Sequence, residues 1–102
     1  MADKLGICVA TQNCFHHVMG LARAAKAASK QVEIFLTGEG IELTQSAQFS
    51  ELLETADVAV CEVSYIARGY KGKTVPGLVD KDFVTQARNA EMVEECDRYL
   101  IL

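Results

Sequence analysis

Four cysteines, two adjacent histidines and one short basic run are the residues of this chain whose chemistry goes beyond packing. The thiols are Cys8, Cys14, Cys61 and Cys96, and no two of them form the Cys-x-x-Cys pair that a zinc ribbon or a thioredoxin-type motif requires. In a reducing compartment they are thiols rather than bridges, which leaves burial, redox chemistry or sulfur transfer as their uses. Cys61 stands out because it ends an apolar run, Val58-Ala-Val-Cys61, and precedes both Ser64 and the basic run Arg68-Gly-Tyr-Lys71-Gly-Lys73. Ser64 reads as a helix N-cap, so backbone N–H groups and nearby cations are expected around the sulfur. Those surroundings favour thiolate, the nucleophilic form. The plainer reading is a small buried residue at a strand end beside a solvated basic loop.

Cys14 lies next to Phe15-His16-His17 at the start of a helical pattern, where the helix dipole also favours thiolate. It is either a second sulfur-accepting thiol facing Cys61 or, with His17 and Cys61, part of a nitrogen and sulfur metal site. His16 and His17 diverge on a helix and cannot both serve. A plain helix start with one half-buried histidine is favoured over metal, and no metal site is expected. Cys8 inside the first strand and Cys96 at the end of the last helix read as core filling. Gly38-Glu-Gly40 is no dinucleotide fingerprint, because the first turn, Ala10-Thr-Gln-Asn13, carries no glycine. These glycines are assigned to a turn, and no nucleotide or other organic cofactor is expected.

The elements that position these residues follow from periodicity. Lys4–Ala10 reads as a buried strand, and Asn13 caps a helix over 14–30 whose stripe is Phe15, Val18, Met19, Ala22 and Ala25. Lys26 falls on that stripe, so its amine must snorkel outward. A second strand over 32–37, a helix over 46–55 with Phe49, Leu52 and Leu53 inward, and a third strand over 57–62 follow. One or two helical turns over 65–69 close at Gly69, and a short strand is expected within 75–79. A helix over 80–96 and a last strand over 99–102 complete the chain. Alternating strands and helices imply a mostly parallel sheet of about five strands with helices on both faces. The expected class is a three-layer α/β/α domain, flavodoxin-like or Rossmann-like. Ligands on such sheets bind beyond the carboxyl ends of the strands, where Cys14 and Cys61 both fall.

The string Cys61-Glu-Val-Ser-Tyr-Ile-Ala-Arg68-Gly69 resembles the third-strand signature of the DsrE/DsrF-like family, which includes the TusD-type sulfur-relay proteins. The alanine-rich Leu21-Ala-Arg-Ala-Ala-Lys-Ala-Ala, the strand Val32-Glu-Ile-Phe-Leu and the closing Glu95-Cys-Asp-Arg-Tyr-Leu-Ile-Leu are similar to the family's other segments. The resemblance implies one flavodoxin-like domain over 1–102, homo-oligomers, and a sulfur atom carried as a persulfide on Cys61. Arg68 and Gly69 would shape the loop beside the sulfur, with sulfur donor and acceptor proteins as partners. The family includes members without an active cysteine, so a non-catalytic scaffold subunit stays open beside the carrier.

Composition limits the alternatives. At 102 residues, half of them hydrophobic and a quarter charged, the chain supports one domain with a modest core. A formal charge of −4 argues against nucleic acid, and no apolar run is long enough for a membrane span. The start Met1-Ala-Asp-Lys leads into no signal peptide, so a cytoplasmic location is expected. Tyr65, Tyr70 and the stretch 75–79 are expected to cover part of a subunit interface.

Overall fold

The computed structural model describes residues 3–102. Strands Lys4–Val9 (β1), Gln31–Leu36 (β2), Asp57–Cys61 (β3), Phe83–Val84 (β4) and Arg98–Ile101 (β5) form one five-stranded parallel sheet in the order β4-β3-β2-β1-β5. Four α-helices connect them: Phe15–Ala27 (α1), Phe49–Leu53 (α2), Glu62–Ala67 (α3) and Gln86–Glu95 (α4). The result is the three-layer, flavodoxin-like α/β/α domain expected.

Chain direction sets the layers. From β1 to β4 each strand is laid beside the last in one direction, and right-handed crossovers then put α1, α2 and α3 on one face. The return from β4 to the far edge, beyond β1, reverses direction and puts α4 alone on the other face. Strand alternation divides the core accordingly. Ile7, Val9, Ile34, Leu36, Val58 and Val60 meet Val18, Met19 and Ala22 of α1 in the larger cluster. Cys8, Phe35 and Cys61 point the other way and meet Met92 of α4.

The α1 stripe is buried as expected from Val18 to Ala25, and Lys26 reaches across to donate to the Glu54 carbonyl at 2.6 Å. The helix is shorter than its pattern: it ends at Ala27, and Ser29 adopts φ 63°. Its N-cap is Cys14 rather than Asn13, and no side chain caps it.

Three expectations are corrected. The region 38–45 forms a 3-10 helix that buries Ile41 and Leu43, so α2 is reduced to Phe49–Leu53. No strand occurs over 75–79; the fourth strand lies at Phe83–Val84, inside the segment read as one long helix. That segment breaks because Thr85 is an N-cap, its hydroxyl accepting from the Ala87 N–H at 3.3 Å and starting α4 afresh. Finally, Tyr65 and Val75 are buried by their own chain, so neither is available to a subunit interface.

Candidate functional site

A parallel sheet opens a crevice where neighbouring strands send their connections to opposite faces. Here that occurs between β3, which continues into α3, and β4, which continues into α4. Cys61 is the last residue of β3, and Gln86 is the first residue of α4. The expected chemistry-bearing thiol therefore stands at the switch point of the sheet.

The groups around its sulfur are neutral. The Gln86 amide nitrogen donates to Cys61 Sγ at 3.4 Å and to Thr37 Oγ1 at 3.0 Å. The Gly38 N–H donates to Ser64 Oγ at 3.1 Å, and the Thr37 and Ser64 hydroxyls lie 3.3 Å apart. Each hydroxyl accepts an N–H, and in the contact between them one hydroxyl donates its proton to the other. Burial pushes the Cys61 thiol up. The Ser64 hydroxyl and N–H, the Gln86 amide and the Thr37 hydroxyl together outweigh it and hold the thiol below its ordinary value. Of these groups, the Gln86 amide is the one hydrogen-bonded to the sulfur in the structure. Cys61 itself is 3% exposed, with Gln86 lying exposed over it.

The other thiols differ. Burial pushes Cys8 up, against a hydrogen bond from Tyr99. Burial also raises Cys96, reinforced by the Glu33 carboxylate, to which its Sγ donates at 3.7 Å. Cys96 is thus half-buried against a charge rather than simple core filling.

Arg68 does not stand beside Cys61. Its Nε donates to Glu42 Oε2 at 2.5 Å, and the Tyr70 hydroxyl donates to Glu42 Oε1 at 2.5 Å. The groups that set the Cys61 charge do not include it. Arg68 instead ties the end of α3, where Gly69 takes φ 90°, to the 3-10 helix. The hydrogen bond to Glu42 is also what chiefly raises the Tyr70 phenol. In Glu42→Gln, Tyr70 is expected to ionise at lower pH than in the parent protein, which tyrosine absorbance against pH would register.

Cys14 lies on the other side of the sheet from Cys61. Its Sγ donates to the Thr11 carbonyl at 3.4 Å, and its side chain packs against the α1-side cluster. Among the described residues no three His, Cys, Asp or Glu side chains converge as metal ligands, so Cys14, His17 and Cys61 do not make a metal site. Ser64 is not an N-cap; Cys61 occupies that position, and Ser64 lies three residues on. Thr37 and Gln86 were not foreseen. A neutral amide and hydroxyl carry no chemical signature in a sequence, and only the strand order brings residues 37, 61 and 86 together.

Among the described residues, no helix is long and apolar enough to cross a membrane. No protein-family model matches the chain, and no curated protein is significantly similar to it.

Proposed function

We propose that the protein is a sulfur carrier in which Cys61 accepts sulfane sulfur as a persulfide and passes it to a partner. The supporting observation is the contrast among three of its thiols: Cys61 is held below the ordinary value by four neutral donors, whereas Cys8 and Cys96 are pushed above it. The Cys61…Arg68-Gly69 resemblance points the same way.

In the transfer, the Cys61 thiolate attacks the outer sulfur of a donor persulfide. A new S–S bond forms at Cys61 as the donor's S–S bond breaks, and the donor leaves as a thiolate that takes up a proton. The acceptor thiolate then attacks the outer sulfur and releases Cys61. Oxidation level is conserved overall, so no redox cofactor enters. Ser64, Thr37 and Gln86 hold the thiolate before attack and receive it again as leaving group. Gln86 must swing aside for either approach, giving up its bonds to Cys61 and Thr37, and its exposed place at the first turn of α4 leaves room for that movement. The reading assigns the protein to a reducing, cytoplasmic setting, with thiol or persulfide proteins as partners and a homo-oligomer as the working state.

The test is intact mass after incubation with a low-molecular-weight persulfide donor. The protein is expected to gain one sulfur atom, reversibly by thiol treatment, and Cys61→Ser is expected to gain none. A parent protein that stays unmodified, or a variant modified equally, refutes the carrier. The 3% exposure of Cys61 favours a second reading, a non-catalytic subunit in which the thiol only completes the core. That reading predicts no uptake and a stable oligomer.

A further inference from the structure

The two edges of the sheet are built differently. β4 is two residues long and follows Asp80-Lys81-Asp82, and its shortness and those charges blunt it as a template for further strands. β5 carries no such protection: after Arg98 it runs Tyr99-Leu-Ile-Leu102, with no proline and no further charge. Leu102 donates through its N–H to the Cys8 carbonyl at 2.8 Å, and its carbonyl accepts from the Ala10 N–H at 2.6 Å. Alternate residues of a parallel strand bond to the same neighbour. Leu100 and Leu102 therefore face β1, and the N–H and C=O groups of Tyr99 and Ile101 point outward. Among the described residues no strand receives them. Ile101 is 69% exposed and Leu100 38%.

The helices on the two faces leave the same flank free of charge. On α1, Arg23 pairs with Glu51 and Lys26 donates to the Glu54 carbonyl, both on the side of α2. The flank turned the other way, towards β5, carries His17, Leu21 and Ala24, with no lysine, arginine or carboxylate. On α4, Arg88 pairs with Glu33 of β2 and, along the helix, with Glu91 and Glu95. Asn89 accepts from the Tyr99 hydroxyl at 2.6 Å and so marks the β5 side, where Val93, one turn on, is 53% exposed. On a chain of net charge −4, an apolar edge between two uncharged flanks is where a second copy meets no like-charge repulsion.

We propose that β5 pairs antiparallel with β5 of a second copy, about a two-fold axis at Leu100, joining two five-stranded sheets into one. Tyr99 then exchanges both backbone hydrogen bonds with Ile101 of the partner subunit, and Ile101 does the same with the partner's Tyr99. Every outward donor of the edge meets an acceptor. Leu100 meets the partner's Leu100 on the α1 face, and Ile101 lies beside the partner's Tyr99 on the α4 face. A parallel pairing would set Arg98 against its own copy, whereas the antiparallel one sets it against the partner's Leu102. This surface gives the homo-oligomer of the proposed function its contact without involving Cys61. A monomer would leave persulfide uptake intact, and an inert Cys61 would leave the dimer intact.

Sedimentation velocity of the full chain over a dilution series, with amide hydrogen exchange on the same samples, is the test. A dimer of twice the 11.1 kDa chain mass is expected, its Tyr99 and Ile101 amides protected when associated and exchanging freely on dilution. Ile101→Lys changes an exposed side chain and is expected to keep the parent's circular dichroism. Its dimer is expected to dissociate at about tenfold higher concentration or more, since each dimer loses the burial of two isoleucines. A parent that stays monomeric up to millimolar concentration, its edge left to a strand of some other protein, overturns the proposal. So does association that leaves the two amides exchanging freely, or a folded Ile101→Lys variant that associates as tightly as the parent. If that variant does not fold, the parent's exchange pattern decides alone.

Discussion

Ser64→Ala is expected to slow alkylation of Cys61 by iodoacetamide at neutral pH by about fivefold, with little effect once the pH exceeds the ordinary thiol range. Losing one hydrogen bond to a charged acceptor removes roughly 1.5–3 kcal/mol of preference for that charge. The rate falls by less than the thiolate population, because a thiolate of higher pKa is intrinsically more nucleophilic. Gln86→Ala separates the two roles of its side chain. Losing the 3.4 Å donor lowers the thiolate fraction at neutral pH, while losing the cover admits reagent. Its pH–rate profile is therefore expected to cross that of the parent, ending faster at alkaline pH. A Cys61 that resists alkylation in every variant and at every pH would show the thiol to be simply part of the core.

The same shifts have a stability counterpart. A thiol held low in the native state contributes stability that is complete above its unfolded value, near 9.0, and is lost as the pH falls through its native value. The stability difference between the parent protein and Cys61→Ser should therefore widen between neutral and alkaline pH. Cys8 and Cys96, pushed up, work in the opposite sense: their contribution is complete below the unfolded thiol value and is lost as the pH rises through their native values.

Gly40→Ala is expected to be the most damaging single methyl in the chain, costing about 3 kcal/mol or preventing folding. A Cβ at this position would collide with the Val9 carbonyl, which is backbone in the middle of the sheet and cannot move aside. The same carbonyl already accepts from the Thr37 N–H at 3.0 Å. Displacing the 3-10 helix would also disturb Ile41 and Leu43 beneath it, and with them the Thr37–Gly38 corner that supports Ser64. Urea denaturation of the parent and variant measures the cost. Gly20→Ala, where the added methyl meets nothing, serves as the control and should leave stability unchanged or slightly raised.

What could be read from the sequence was what local pattern determines. β1, β2, β3 and β5 are apolar runs of β-branched and aromatic residues, and α1 has an unbroken buried stripe; each element was placed to within a few residues. The 3-10 helix over 38–45 has no apolar period to betray it, since it is held by Ile41 and Leu43 packing beneath a glycine contact to another strand. Phe83-Val84 was absorbed into a helix because two residues are too few to show alternation, although Thr85 was a legible start signal. At the site, Cys61 could be singled out by its place at a strand end. The role expected of Arg68 failed because its carboxylate partner, Glu42, lies 26 residues away on an element the pattern did not reveal. The sulfur's donors were invisible for a related reason: Thr37, Ser64 and Gln86 meet only because β3 lies between β2 and β4.

One face of the sheet is sheltered by a single helix of ten residues, α4, which reaches its place by crossing back over every strand laid down before it. Cys8, Cys61 and Cys96 all share the cluster beneath or beside it. A molecule in which α4 has come away exposes that flank, so oxidants and electrophiles compete with α4 for the same surface. Thiol modification would then report how often this segment detaches, and protection from it would mark the moment at which the chain becomes native.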